Sequence, residues 1–506
     1  MTDRRPAARA LIATGLAALW LAQALPALAQ QRPLSASDWL SGSVQAPPRE
    51  SSAWRPGDAA PPGMGPAAPQ PVAESGAVGE VQVTRLDGGD PDAGGTITAR
   101  RAGLPRDLWQ GSSALQLVSL IQHSPARLPA MNALMGRILT AQLTPPDPDE
   151  GNQRGRLFLA RADRLLDMGA LQQAQALLIT AGPGDPEVFR RLFDIALLEG
   201  DETRACDIMN STPGIAPSFP ARIFCLAQGG DWIAAAISLH GAELMGLINE
   251  RQAIMLTHFL DDGFVDSPEV LEPAERMTPL DFRIHEAIGQ PLPTASLPVA
   301  FAQSDLRMTS GWKARLEAAE RLARAGAIAP AALRRIYAEQ KPAASGGVWE
   351  RANEMRRLEA ALEAGDIDAA LPRAFAEFRN AGMAEVLAAM IAQDLPEDPR
   401  DLSPQSARIT TWLRQWQGLP VPDPVALPDA LAEALSQAPA AGPDTAPAMP
   451  RGEALLAAMA DIDAGLDGDL ARAGRGLRAL QELGLADDAA LAANQLGLLD
   501  QMRGTP

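Results

Sequence analysis

From Gly103 to Asp394 the apolar residues return at helical spacing almost without interruption, in segments of ten to fifteen residues set apart by Pro and Gly. The boundaries between segments also repeat. "DMGALQQAQAL", "LEGDETRACDI" and "QGGDWIAAAIS" place Gly169, Gly200 and Gly230 at intervals of 31 and 30 residues, followed five positions later by Ala174, Ala205 and Ala235. Gly326 with Ala331, Gly365 with Ala370, Gly468 with Ala473 and Gly484 with Ala489 repeat the pair. A glycine at such a bend closes one helix in a left-handed conformation that other residues resist. The alanine falls where the return helix crosses the first, and a larger side chain there would push the two apart. Recurrence at near-equal intervals predicts stacked helical hairpins, an all-α repeat domain over residues 103–395. A second block inside it begins near Thr309, with Ser310 placed to cap its first helix.

The flanks break this pattern. Residues 1–29 carry a basic start (Arg4, Arg5, Arg9), an apolar run from Ala10 to Leu25 and small residues at Ala27 and Ala29, which reads as a signal peptide cleaved between Ala29 and Gln30. A periplasmic protein is expected, with no membrane span left after cleavage. Residues 30–76 are rich in Pro, Gly, Ala and Ser and bury too little to offset ordering, so they read as a disordered tether. "SASDWLSG" interrupts it. Asp38, Trp39 and Leu40 there form either a docking motif for a partner's pocket or a segment that packs back on its own protein. Over residues 77–102, Val81 and Val83, then Ile97 and Thr98, flank a Gly/Asp/Pro loop and suggest a small β-hairpin. Prolines thicken again over 396–450, read as a linker with short helices around Trp412, Trp416 and Leu431. Residues 451–506 form further helical hairpins whose apolar face needs either the end of the array or another protein.

The turn "EGDETRA" resembles the helix–helix turn of tetratricopeptide repeats, with a likeness that covers roughly residues 155–244. The period is 30 or 31 instead of the family's 34, and an aromatic follows Gly-Asp only at Trp232. The resemblance implies a right-handed α-solenoid whose first helices line a concave face. The helical superstructure of soluble lytic transglycosylases is a similar degenerate array. "SDWLS", "GLPRDLW", "GWKARLEAAERLARAGA" and "ASGGVWER" resemble a family of exported Ala/Pro-rich alphaproteobacterial proteins, some of them labelled antifreeze-glycopeptide-like. The Ala-Ala-Thr arrays that such a label needs are absent here. Arg161, Arg191, Arg222 and Arg357 fall eight or nine residues before their glycines, on the first helix of each hairpin. On the concave face that the resemblance implies, they would form a ladder able to grip carboxylates of a peptide or of acidic cell-wall stems. Eight and nine residues differ by about 100° around a helix, and pairing with nearby Asp or Glu is the alternative.

Composition narrows the choice of partner. The 506 residues carry a formal charge of −18, which repels nucleic acid and anionic lipid surfaces. Cys206 and Cys225, close together in an exported chain, read as a disulfide, with two buried thiols as the alternative. The four histidines form no His-x-x-x-His pair, so no zinc site is expected. Ser310 and Lys313 match Ser-x-x-Lys, but the second Lys-Thr-Gly element of penicillin-binding enzymes is missing. Glu74-Ser75 lacks the surroundings of a transglycosylase site. Asp87, Asp90 and Asp92, and again Asp461, Asp463, Asp467 and Asp469, crowd acidic turns without the spacing of a calcium loop. These observations point to a non-catalytic periplasmic scaffold that holds envelope proteins or peptide segments, without cofactor or metal. An envelope or peptidoglycan-processing hydrolase, or an accessory subunit of one, is the alternative.

Overall fold

Helix dominates the computed structural model, which describes residues 39–42, 90–147, 154–261, 270–437 and 449–503, all within the unit Ser35–Pro506. Ala29, Gln30, Asp38, Glu74, Ser75, Asp87, the strand expected at Val81–Val83 and most of the tether lie outside the described residues. The first helices are α1 (Ala99–Ala102), α2 (Ala114–His123), α3 (Pro129–Thr140), α4 (Arg156–Asp167), α5 (Leu171–Ile179), α6 (Pro186–Glu199), α7 (Glu202–Ser211) and α8 (Phe219–Gln228). Then come α9 (Trp232–Leu244), α10 (Glu250–Leu260), α11 (Pro279–Ala287), α12 (Ala302–Asp305), α13 (Trp312–Arg324), α14 (Pro330–Ala338), α15 (Val348–Ala364) and α16 (Leu371–Asn380). The last are α17 (Ala384–Ile391), α18 (Pro404–Trp416), α19 (Asp429–Ser436), α20 (Arg451–Asp463), α21 (Leu470–Glu482), α22 (Ala486–Gly497) and α23 (Leu499–Arg503).

The repeated glycines mark the bends. Gly169, Gly200, Gly230, Gly326, Gly365, Gly468 and Gly484 all take a left-handed backbone, with φ between 69° and 91°, and each precedes a return helix. At Gly200 a side chain would also collide with Arg307, since its Cβ would lie 2.9 Å from Cδ. Ala174, Ala235, Ala473 and Ala489 are fully buried at the crossings and Ala205 nearly so. Ala331 and Ala370 are not at crossings. The loops after Gly326 and Gly365 are longer, so α14 begins only at Pro330 and α16 at Leu371, and Leu333 and Ala374 take the buried positions.

Proline starts helices here more often than it interrupts them, because its missing N–H and fixed φ suit the first turn. Pro129, Pro186, Pro279, Pro330 and Pro404 all open helices. The short helices expected around Trp412, Trp416 and Leu431 within residues 396–450 are α18 and α19. Ser403 caps α18, Pro428 leads into α19, and both helices contribute to the cores through Leu413, Trp416, Leu431 and Ala434. Ser310 is not the cap of α13, whose N-cap is Gly311.

Of the hairpin expected over 77–102, Val81 and Val83 lie outside the described residues, while Ile97–Thr98 forms a two-residue strand, β1, paired in parallel with Ala141–Gln142, β2. Arg161 fixes this arrangement from inside. Its fully buried guanidinium donates to the carbonyls of Leu139, Asp92, Gly94 and Ala141.

The apolar face of the C-terminal hairpins is covered by the start of the helical body. Helix α20 packs on α2, and α22 packs on α3 and α18. Polar contacts pin the junction: Asp463 accepts from the amides of Arg127 (2.6 Å) and Leu128 (3.1 Å), and Gln495 accepts from that of Ala130 (2.8 Å). One core joins Trp39 and the early helices to α19–α22, a second gathers α13–α18, and a third spans Phe189 to Ile288.

Candidate functional site

Helix α6 is buried at nearly every position. Asp185 caps it by accepting from the amides of Glu187 (2.8 Å) and Val188 (3.1 Å), Pro186 opens it, and Gly200 closes it. Its charged residues Glu187, Arg190, Arg191 and Asp194 share one face at i, i+3, i+4 and i+7, and that face is covered too, because α6 contacts α5, α7, α11 and α12 and also meets Asp163 of α4 and Ser41. Arg190, Arg191 and Asp194 are therefore charges with no solvent to face, all three at 0% exposure. Buried charges persist only when paired and hydrogen-bonded.

Their partners form one network across three parts of the chain. Arg191 grips Asp163 of α4 with two parallel bonds and reaches the carbonyl of Glu187 (2.9 Å) and its carboxylate (3.0 Å). Arg190 donates to the same Glu187 carboxylate at 2.9 and 3.1 Å. The remaining arm of Arg190 donates to the carbonyl of Ser41. Asp194 accepts from the Ser41 amide (3.0 Å) and the Ser41 hydroxyl (2.5 Å). The main chain and side chain of a residue about 150 positions away are thus held by two buried charges on adjacent turns of one helix.

Two residues upstream, Trp39 fills an apolar pocket beside this clamp. Its ring meets Phe301 edge-on at 5.6 Å, Phe301 meets Phe282 the same way at 5.4 Å, and the indole N–H points to Asp167 at 3.3 Å. Trp39 and Leu40 are each 5% exposed. The site is therefore a groove bounded by α4, α6 and residues 299–301, occupied by Trp39–Gly42. Burial pushes the Asp194 carboxyl up from its ordinary 3.8 to about 6, against the pull of Arg190, the Ser41 donors and Arg191.

Of the two readings of "SASDWLSG", the structure shows Trp39 and Leu40 packed on their own chain. The four arginines do not share an exposed face. Arg161 and Arg191 are fully buried and spend their donors on internal acceptors. Arg222 donates to the carbonyl of Met209 (2.9 Å) on the preceding helix, α7, and only Arg357 is exposed, paired with Glu354. Cys206 on α7 and Cys225 on α8 are joined by a disulfide that ties neighbouring helices.

The other chemical candidates are occupied structurally. Asp92 caps α4 by accepting from Gly155 (3.0 Å) and Phe158 (2.7 Å). Asp463 and Asp467 hold Arg127, while Asp461 and Asp469 hold Arg472. Among the described residues no three His, Cys, Asp or Glu side chains converge as a metal site. Lys313 is exposed and pairs with Glu317 at 3.4 Å. His285 is buried with neither ring nitrogen hydrogen-bonded, and burial lowers its pKa, with Arg251 adding to the effect. A shallow groove of about 520 Å³ lies between α9 and α10, walled by Glu243, Glu250, Ile254 and His258.

Asp167, Arg190, Asp194, Ser41 and Phe301 escaped the sequence reading. In "PEVFRRLFDIALLEG" the charged residues Glu187, Arg190, Arg191 and Asp194 share one helix face, the pattern of an ordinary solvated surface, so no local signal marks them as buried. Among the described residues no helix is long and apolar enough to cross a membrane. No protein-family model, curated protein or solved structure matches the chain.

Proposed function

We propose that the protein is a non-catalytic α-solenoid scaffold of the cell envelope, exported with cleavage before Gln30 and built to hold protein partners through short extended segments. The reading rests chiefly on the groove that holds Trp39–Gly42. It combines an apolar pocket for an aromatic anchor with charged groups that take main-chain donors and acceptors, and this is the chemistry by which repeat surfaces hold peptides. The glycine-marked hairpins add support, since stacked hairpins supply long surfaces on which such grooves form. On this reading Trp39–Gly42 occupies a site that a partner's segment of like sequence also fits. Tetratricopeptide-like stacking remains part of the proposal.

The test uses the full chain carrying Trp39→Ala and Leu40→Ala, which vacates the groove, and a labelled peptide of sequence Ser35–Gly42. Fluorescence anisotropy is expected to give micromolar binding to this variant and at least tenfold weaker binding to the wild type. A peptide with alanine for Trp should not bind. No binding to the vacated groove up to about 1 mM, a level worth roughly 4 kcal/mol, refutes the proposal.

A further inference from the structure

Helix α9 has a second apolar face that nothing among the described residues covers. Its inward side is Ala235, Leu239 and Ala242, each less than a tenth exposed. One hundred and eighty degrees away lie Ile233 (75% exposed), Ile237 (69%) and Leu244 (76%), spaced four and seven residues apart. Met245 (65%) extends the stripe past the helix end, while Trp232 (46%) and Ile254 of α10 (43%) border it. No Asp, Glu, Lys or Arg falls between Ile233 and His240. Surface helices of soluble chains carry polar residues on that side, so this stripe needs an occupant.

We infer that the occupant is a second copy of this chain, bound through α9 against α9 in antiparallel order about a two-fold axis. The stripe is self-complementary in that orientation. An axis near Ser238 and Leu239 sets Ile233 of each copy against Leu244 of the other. Ile237 of each copy then meets the His240–Gly241 step of the other, where Gly241 leaves room because no atom lies within 4 Å of a Cβ built there. Small residues at such a step let two helices approach closely. Size agrees as well: the exposed side chains amount to roughly 600 Å² of apolar surface per copy, near the ~800 Å² per partner of a standard interface. That lies at the upper end of the roughly 300–600 Å² of the largest apolar patch on a typical monomer, a patch that is often functional. Antiparallel helices also oppose their dipoles favourably, and the pairing sets no carboxylate of one copy directly against a carboxylate of the other. An isologous contact closes at two subunits, without further growth. The inference is independent of the proposed function, since α9 lies outside the groove that holds Trp39.

Sedimentation equilibrium of the full chain tests it, with the monomer at 53.3 kDa. A concentration-dependent species of twice that mass is expected at micromolar protein. Ile237→Arg and Leu244→Arg should each weaken it at least tenfold, while Ile179→Arg, on an exposed position of α5, leaves it unchanged. Both native cysteines are bonded to each other, so His240→Cys with a short bis-maleimide should give a covalent dimer. A chain that stays monomeric throughout overturns the inference and leaves the stripe to a different partner. So does a dimer that both arginine variants preserve while circular dichroism shows them folded.

Discussion

Replacing Trp39 with alanine removes the anchor of the docked segment. At 5% exposure the indole buries about 200 Å², worth roughly 5 kcal/mol at ~25 cal/mol per Å², and the edge-on contact with Phe301 adds ~1 kcal/mol. Fixing four residues in place costs on the order of 4–8 kcal/mol of backbone entropy. Docking therefore nets only a few kcal/mol, and the loss of Trp39 exceeds it. Because undocking is a local event, the fall in global stability stops at the docking free energy, whatever the side chain's own worth. Native-state hydrogen exchange reads this directly. The Ser41 amide, bonded to Asp194 at 3.0 Å, should be protected in the wild type and unprotected in Trp39→Ala, while amides of α18 stay as they were. A Tm drop of only a few degrees should accompany the change. A Ser41 amide equally protected in the variant would refute the anchoring role, as would loss of protection spread evenly through the helical body.

Asp194 makes stability pH-dependent. Burial raises its pKa in the folded chain from 3.8 to about 6, so the folded state holds the proton more tightly; its contribution should be fully present below pH 4 and be lost as pH rises through 6, by up to about 3 kcal/mol. Asp194→Asn should flatten the pH dependence of unfolding free energy between pH 4 and about 7 in denaturant titrations, and an unchanged slope would remove Asp194 as its source. Reducing the Cys206–Cys225 bond, which closes a separation of 19 residues, should lower stability by roughly 3 kcal/mol in denaturant titrations. Gly200→Ala should cost about 1–2 kcal/mol from the left-handed backbone alone, and the collision with Arg307 adds to this in a thermal melt. Arg161→Met should cost about 3 kcal/mol or more, since four buried carbonyls lose their donor; a near-neutral Tm would mean that water replaces the guanidinium.

The bends were legible because they depend on one residue each. Only glycine takes the left-handed position cheaply, so Gly169, Gly200 and Gly230 announce their turns without reference to the rest of the chain. Ala331 and Ala370 misled because a fixed offset of five assumes a fixed loop length, and two loops are longer. The prolines of residues 396–450 look alike in a linker and at the first turn of a helix; the caps at Ser403 and Pro428 decide between them. Arg161 on α4 and Arg191 on α6 resemble surface groups because helical periodicity picks out a polar face but does not show what covers it; the backbone at Gly94 and Ala141 covers Arg161, and Asp163 of α4 covers Arg191. The groove was beyond reach for a different reason. Nothing local at Ser41 encodes Asp194, 153 positions away, and nothing at Ile97 encodes Ala141.

The seam between α20–α22 and α2–α3 bears on how the molecule is made. Asp463 satisfies amides 335 and 336 residues earlier in the chain. At ~5–20 residues per second, the ribosome delivers it on the order of half a minute after Arg127 and Leu128 emerge. For that interval the opening helices present uncovered leucines and unmet N–H groups. Their survival depends on a holding chaperone or on a provisional cover, and a nascent chain stalled before residue 451 should be the most vulnerable to proteases.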